Sequence, residues 1–222
     1  MNIFQILKTP DVFTLSNALF GVISIFAVYE GFTDLALILL LLAAVADGLD
    51  GYIARRYTCS ELGESLDSLA DVISFGVAPA VVIYSIFSAL NPLFIGALVC
   101  FYVTCGILRL SRFNALPKDA DFEGLPITAG CVMLASYLLM DEKYIHVYVL
   151  FMLLIILSLL MVSNLPYFKL RKTKNIALGS VLFGLLIPSF FVNIEYTHVF
   201  SLFLFMAMVL YVASPLIKNS GK

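Results

Sequence analysis

The chain has 222 residues, 62% of them hydrophobic and only 13% charged, with a mean hydropathy of +1.03 and a formal net charge of −2. Those values lie outside the range of soluble globular domains and point to an all-α, polytopic membrane helix bundle with no nucleic-acid partner. The four cysteines, at 59, 100, 105 and 131, have neither zinc spacing nor the pattern of a disulfide framework.

A spanning helix needs about 20 mostly apolar residues, and the sequence offers eight such stretches: roughly 12–29, 34–55, 62–89, 93–112, 124–140, 145–163, 176–192 and 197–217. Residues 2–8 suit a short interfacial helix. The first span has no basic segment before it and no small-residue cleavage site after it, so a cleaved signal peptide is not expected. Thr9-Pro10-Asp11 opens span 1, which carries Asn17, a polar group facing either a ligand or a neighbouring helix. Span 2 ends in Asp47-Gly48-Leu49-Asp50-Gly51-Tyr52-Ile53-Ala54-Arg55, and span 3 begins with Gly63-Glu64-Ser65-Leu66-Asp67-Ser68-Leu69-Ala70-Asp71.

A helix from Glu61 to Leu90 would be about 45 Å long, more than the ~30 Å hydrocarbon core. Its first turns should therefore protrude, with a bend near Gly76 and Pro79. Asn91-Pro92 opens span 4, whose far end carries Arg109 and Arg112. Gly124-Leu125-Pro126 starts span 5, and Asn164-Leu165-Pro166 ends span 6. No internal repeat is visible. The whole is read as one membrane domain, with a catalytic core over 12–130 and additional helices over 131–217.

Cytoplasmic loops hold the excess of positive charge in membrane proteins. Threading eight spans with both termini cytoplasmic places twelve of the thirteen lysines and arginines on that side and leaves only Lys143 outside. The basic run Lys169–Lys174 then serves chiefly to fix orientation. Threading also puts the aspartates near the cytoplasmic face.

A carboxylate on a membrane helix costs about 2.5–3.5 kcal/mol on insertion scales, so four together require a cation. Residues three, four and seven apart share a helix face. Asp47, Asp50, Gly51 and Ala54 thus form one stripe, and Gly63, Asp67, Asp71, Ser74 and Ala78 another. The short link between spans 2 and 3 makes the two helices antiparallel neighbours, with the acids facing one another. Hard oxygen ligands suit Mg²⁺ or Mn²⁺ working with a phosphate-bearing substrate. Arg55, at the helix end, is placed to fork onto phosphate oxygens.

The pattern Asp47, Asp50-Gly51, Ala54-Arg55, Gly63, Asp67, Asp71 resembles the signature of the CDP-alcohol phosphotransferase family, with every fixed position filled. Seven residues separate Arg55 from Gly63, one fewer than is usual. The resemblance implies transfer of a phosphatidyl or archaetidyl group from CDP-diacylglycerol or CDP-archaeol to an alcohol, with release of CMP. By the same resemblance, Asp47, Asp50, Asp67 and Asp71 ligate Mg²⁺ or Mn²⁺, and Asp71 also serves as general base. Asp50, Gly51, Ala54, Arg55 and Gly63 would then receive the CDP-lipid.

The text from Leu66 to Ala80, together with Leu108–Asn114 and Gly124–Pro126, resembles the serine-accepting branch of that family. It implies L-serine as acceptor, with Arg109 and Arg112 on its carboxylate or on the transferred phosphate, and a homodimer in the bilayer. Glycerol 3-phosphate or an inositol phosphate is the rival acceptor. A divalent-cation or proton-coupled transporter is the rival class, but it would spread acids through the bilayer depth rather than gather them at one face.

Overall fold

The computed structural model describes residues 7–54, 60, 62–115, 123–167 and 173–219. All the regular structure among them is helical. Helix α1 spans Thr9–Tyr29, α2 Thr33–Ala54, α3 Gly63–Phe87, α4 Pro92–Ala115, α5 Ile127–Leu138, α6 Val147–Val162, α7 Thr173–Val192 and α8 Ile194–Asn219. Each stretch expected to span holds a helix. The interfacial segment expected over 2–8 falls almost wholly outside the described residues, as does most of Lys169–Lys174.

Local chemistry sets the helix ends. Pro10 sits in the first turn of α1, where its missing N–H costs nothing, and the Asp11 carboxylate accepts a hydrogen bond from the Lys8 N–H at 2.7 Å. Gly31, at φ 86°, lets the chain leave α1 and enter α2 within a few residues.

Among the described residues five helices, α1 to α4 and α8, are long and apolar enough to cross a bilayer. Helix α5, with 12 residues, extends only about 18 Å, so the apolar run over 124–140 is partly non-helical. The reason is its position. Every residue from Gly130 to Met140 is buried, so α5 is a core helix wrapped by others rather than a lipid-facing span.

The bend expected at Gly76 and Pro79 takes the form of a π-helical turn, Val72–Val77, between the first turns of α3 and its continuation. Pro79 has no N–H to give to the Phe75 carbonyl four residues back. That carbonyl instead accepts from the Tyr102 hydroxyl of α4 at 3.1 Å. Such π turns concentrate at functional sites, and this one begins directly after Asp71.

Helices α1 and α2 form the most extensive pair, and the first turns of α3 pack chiefly on α1 rather than on α2. The approach of α1 to α3 is close: a Cβ on Gly21 would lie 2.5 Å from Ser74 Oγ. Spans 2 and 3 are therefore neighbours, as their short link required, but α1 lies along both and forms a third wall.

Candidate active site

Asp47 from α2 and Asp67 and Asp71 from α3 each present a carboxylate oxygen within 4.8 Å of the other two. The first and last acids of the signature, separated by 23 intervening residues, thus meet at one point. Asp50 lies one turn along α2 from Asp47. It is 7% exposed, and its Oδ2 accepts a hydrogen bond from the Thr14 hydroxyl at 2.7 Å.

Helix α1 supplies what the acids lack. Asp11, Thr14, Asn17, Gly21 and Ser24 recur at intervals of three and four, so they form one polar stripe, and all are buried. Asn17 Nδ2 donates to Asp71 Oδ1 at 3.2 Å, and Ser74 Oγ donates to the Asn17 carbonyl at 2.8 Å. Asn17 Oδ1 is buried with no hydrogen-bond partner. Asp11 Oδ1 accepts from Ser60 Oγ at 2.9 Å, fixing the entry to α3. From the opposite side, Thr128 in the first turn of α5 donates to Asp47 Oδ2 at 3.2 Å. Sequence reasoning gave Thr14 and Thr128 no role. The stripe on α1 was legible from its spacing, whereas nothing local marks Thr128.

Arg109 is buried and close enough to Asp71 and Asp47 to act on both electrostatically, and its guanidinium stacks 5.5 Å from the centre of the Phe113 ring. Arg112, one turn on, is committed elsewhere: its terminal nitrogens donate to the carbonyls of Val162, Glu123, Met161 and Ser163 and to Asn164 Oδ1. The two arginines read as a pair therefore separate. Asn114 Nδ2 donates to Ser68 Oγ at 2.8 Å, joining α4 to α3. Arg55 lies outside the described residues, and Ala54 closes α2.

Gly51 is half-buried, in the turn after Asp50. At Gly63 a Cβ would meet only ordinary contacts, Ser60 Oγ at 3.4 Å and Asp11 Oδ1 at 3.5 Å. The described neighbours thus leave room for a side chain there.

These residues fit a divalent cation. Three convergent carboxylates in an apolar bundle repel one another, and Asp67 Oδ1 is buried with no hydrogen-bond partner. An all-oxygen donor set of this kind suits Mg²⁺ or Mn²⁺ rather than a softer metal.

The model of the CDP-alcohol phosphatidyltransferase family matches residues 7–163. The chain belongs to this family. Its relatives include the archaetidylserine synthase of Methanothermobacter thermautotrophicus, 42% identical over 172 residues that span 74% of this chain and 71% of that one. The CDP-diacylglycerol–serine O-phosphatidyltransferase of Methanocaldococcus jannaschii is 37% identical over 167 residues, covering 75% of this chain and 76% of that protein. The Helicobacter pylori protein of the same name is 38% identical over 175 residues, covering 74% and 73%. Members of the family generally depend on a divalent metal. Apolar helices and family membership together make the chain a multi-pass membrane protein.

Proposed function

We propose that this protein transfers a phosphatidyl or archaetidyl group from a CDP-linked lipid to L-serine and releases CMP. The observation that carries the proposal is the convergence of Asp47, Asp67 and Asp71 within 4.8 Å in a chain whose relatives are named for that acceptor.

Asp47, Asp50, Asp67 and Asp71 would hold Mg²⁺ or Mn²⁺. When bound, the cation neutralises the diphosphate and stabilises the departing CMP oxygen. Asp71 serves as general base, taking the proton of the serine hydroxyl as the serine Oγ bonds to the phosphorus that carries the lipid. The bond from that phosphorus to the CMP oxygen breaks in the same displacement. Asn17 orients the Asp71 carboxylate through its 3.2 Å hydrogen bond, and Thr14 does the same for Asp50. Gly51, Ala54, Arg55 and Gly63 would receive the diphosphate, as the family signature implies. Arg109, buried beside the acids, offers positive charge to the transferred phosphate or the serine carboxylate.

In this proposal residues 12–130 form the catalytic core and 131–217 the supporting helices, in a homodimer whose site opens to the cytoplasm. The test is CMP release by purified protein in nanodiscs with a CDP-lipid and Mn²⁺, adding L-serine or glycerol 3-phosphate in turn. Serine should release CMP. Release with glycerol 3-phosphate alone would move the acceptor assignment, and release with neither would end the transferase proposal.

A further inference from the structure

We infer that Arg112 is a positioning residue: it locks the joint from which α5 presents Thr128 to Asp47, and it binds no substrate. The inference rests on the proposed transferase function for its meaning, but its geometry stands apart from it.

Arg112 Nη1 donates to the Val162 carbonyl at 3.3 Å and Asn164 Oδ1 at 3.1 Å, while Nη2 donates to the carbonyls of Ser163 at 2.8 Å, Glu123 at 3.1 Å and Met161 at 3.4 Å. A guanidinium carries four N–H groups on its two terminal nitrogens. Five oxygens around those four donors leave no fork between the terminal nitrogens for a phosphate or carboxylate. Three of the acceptors, Met161, Val162 and Ser163, are the last carbonyls of α6 and its cap, which have no intrahelical partner and carry the negative end of the helix dipole. A cation at that terminus is favoured by the dipole.

The same joint seizes the chain that leads into α5. Gly124 N–H donates to the Leu165 carbonyl at 2.9 Å, Leu125 N–H to the Leu160 carbonyl at 3.0 Å, and Glu123 pairs with Pro166 in an antiparallel bridge. Gly124 has φ 78°, and a Cβ there would lie 2.3 Å from the Met161 carbonyl oxygen and 2.6 Å from Arg112 Nη2. Only glycine lets the backbone pass this close to the guanidinium. Three residues later Ile127 seats its Cδ1 against Gly106 of α4 and Gly76 of α3, and the next residue, Thr128, reaches Asp47. With Gly124 fixed on one side and Ile127 on the other, the position of the Thr128 hydroxyl is set by the joint.

The test uses full-length protein in nanodiscs and compares Arg112→Lys, Thr128→Val, their double variant, and Asn164→Ala, which removes one clamp acceptor and is the mildest lesion. Four quantities are measured: kcat, KM for serine, the affinity for Mn²⁺ by electron paramagnetic resonance, and the melting temperature. A residue that orients a metal ligand is expected to cost about 10–100-fold in affinity or rate when removed. Arg112→Lys should therefore weaken Mn²⁺ binding and lower kcat as Thr128→Val does, with KM for serine unchanged. The double variant should be no worse than the more damaging single one. Asn164→Ala should show a smaller loss of the same kind.

A rise in KM for serine at unchanged Mn²⁺ affinity would overturn the inference and make Arg112 a substrate ligand. Should Arg112→Lys fail to fold, a wild-type melting temperature and Mn²⁺ affinity in Asn164→Ala would equally overturn it. If wild-type protein proves inactive with serine, the functional proposal fails while Mn²⁺ affinity and melting still decide this one.

Discussion

The two ends of the bundle are both acidic, and among the described residues only one of them gathers buried acids at a point. At the first, Asp50 is 7% and Asp71 6% exposed, and the carboxylates outnumber the cations beside them among the described residues. At the other, Asp34, Asp141 and Glu142 border a single cleft with His198. There Asp141 is ion-paired to Lys143 at 2.7 Å with both side chains largely in the open. Acidic residues at a helix end are cheap when water reaches them. They demand explanation when several are buried together without matching positive charge. The difference lies in burial and convergence, not in the number of acids.

The sharpest way to break this contrast is Asp71→Asn. The amide keeps the volume and the approach of Asn17 but cannot take a proton, so the loss should be that of a general base, about 10²–10⁴-fold in kcat. CMP release under saturating serine and CDP-lipid measures it, and a melting temperature near wild type shows that the bundle is intact. Full activity would remove Asp71 from the chemistry and leave the buried end no more functional than the exposed one.

A smaller effect is expected from the wall that α1 provides. Asn17→Ala and Thr14→Val each delete a hydrogen bond to a carboxylate, of 3.2 Å and 2.7 Å, and leave the acids themselves in place. Each should lower kcat or Mn²⁺ affinity by about 10–100-fold, read by CMP release and by metal titration of the same preparation. Unchanged values would reduce α1 to a packing surface.

Which parts of this architecture could be read beforehand follows from how far apart the partners lie in the chain. Asp47 with Asp50, and Asp67 with Asp71, are three and four residues apart, so helix geometry alone puts each pair on one face. The short link then brings the two faces together. The stripe Asp11, Thr14, Asn17 was equally regular, but its partners lie 36 residues on for Thr14 and 54 for Asn17, so its destination could not be inferred.

The three-residue spacing of Arg109 and Arg112 suggests a pair on one helix face. The actual partners of Arg112 in and after α6 lie 49 to 52 residues downstream, and no periodicity encodes that. The apolar run over 124–140 is longer than α5 for a related reason. Hydropathy records that 124–140 is apolar but not that Gly124 and Leu125, before the first turn of α5, hydrogen-bond to the carbonyls of Leu165 and Leu160.

The smallest expected effect lies at the exposed end and sharpens the contrast by its absence. The Lys143 ammonium and backbone N–H both donate to Asp141, and these bonds hold its carboxyl below the usual carboxylate range. A depressed carboxyl contributes to stability above its unfolded-state value, and the contribution fades as pH falls through the lower folded value. Both groups are solvated, so the pair is screened by salt. Asp141→Asn should therefore leave kcat, KM and Mn²⁺ affinity at wild-type values. Any small difference in melting temperature at neutral pH should vanish in acid or in high salt. A variant that lost activity at neutral pH would mean that the far cleft communicates with the acid cluster through the helices between them, and exposure would no longer separate the two ends.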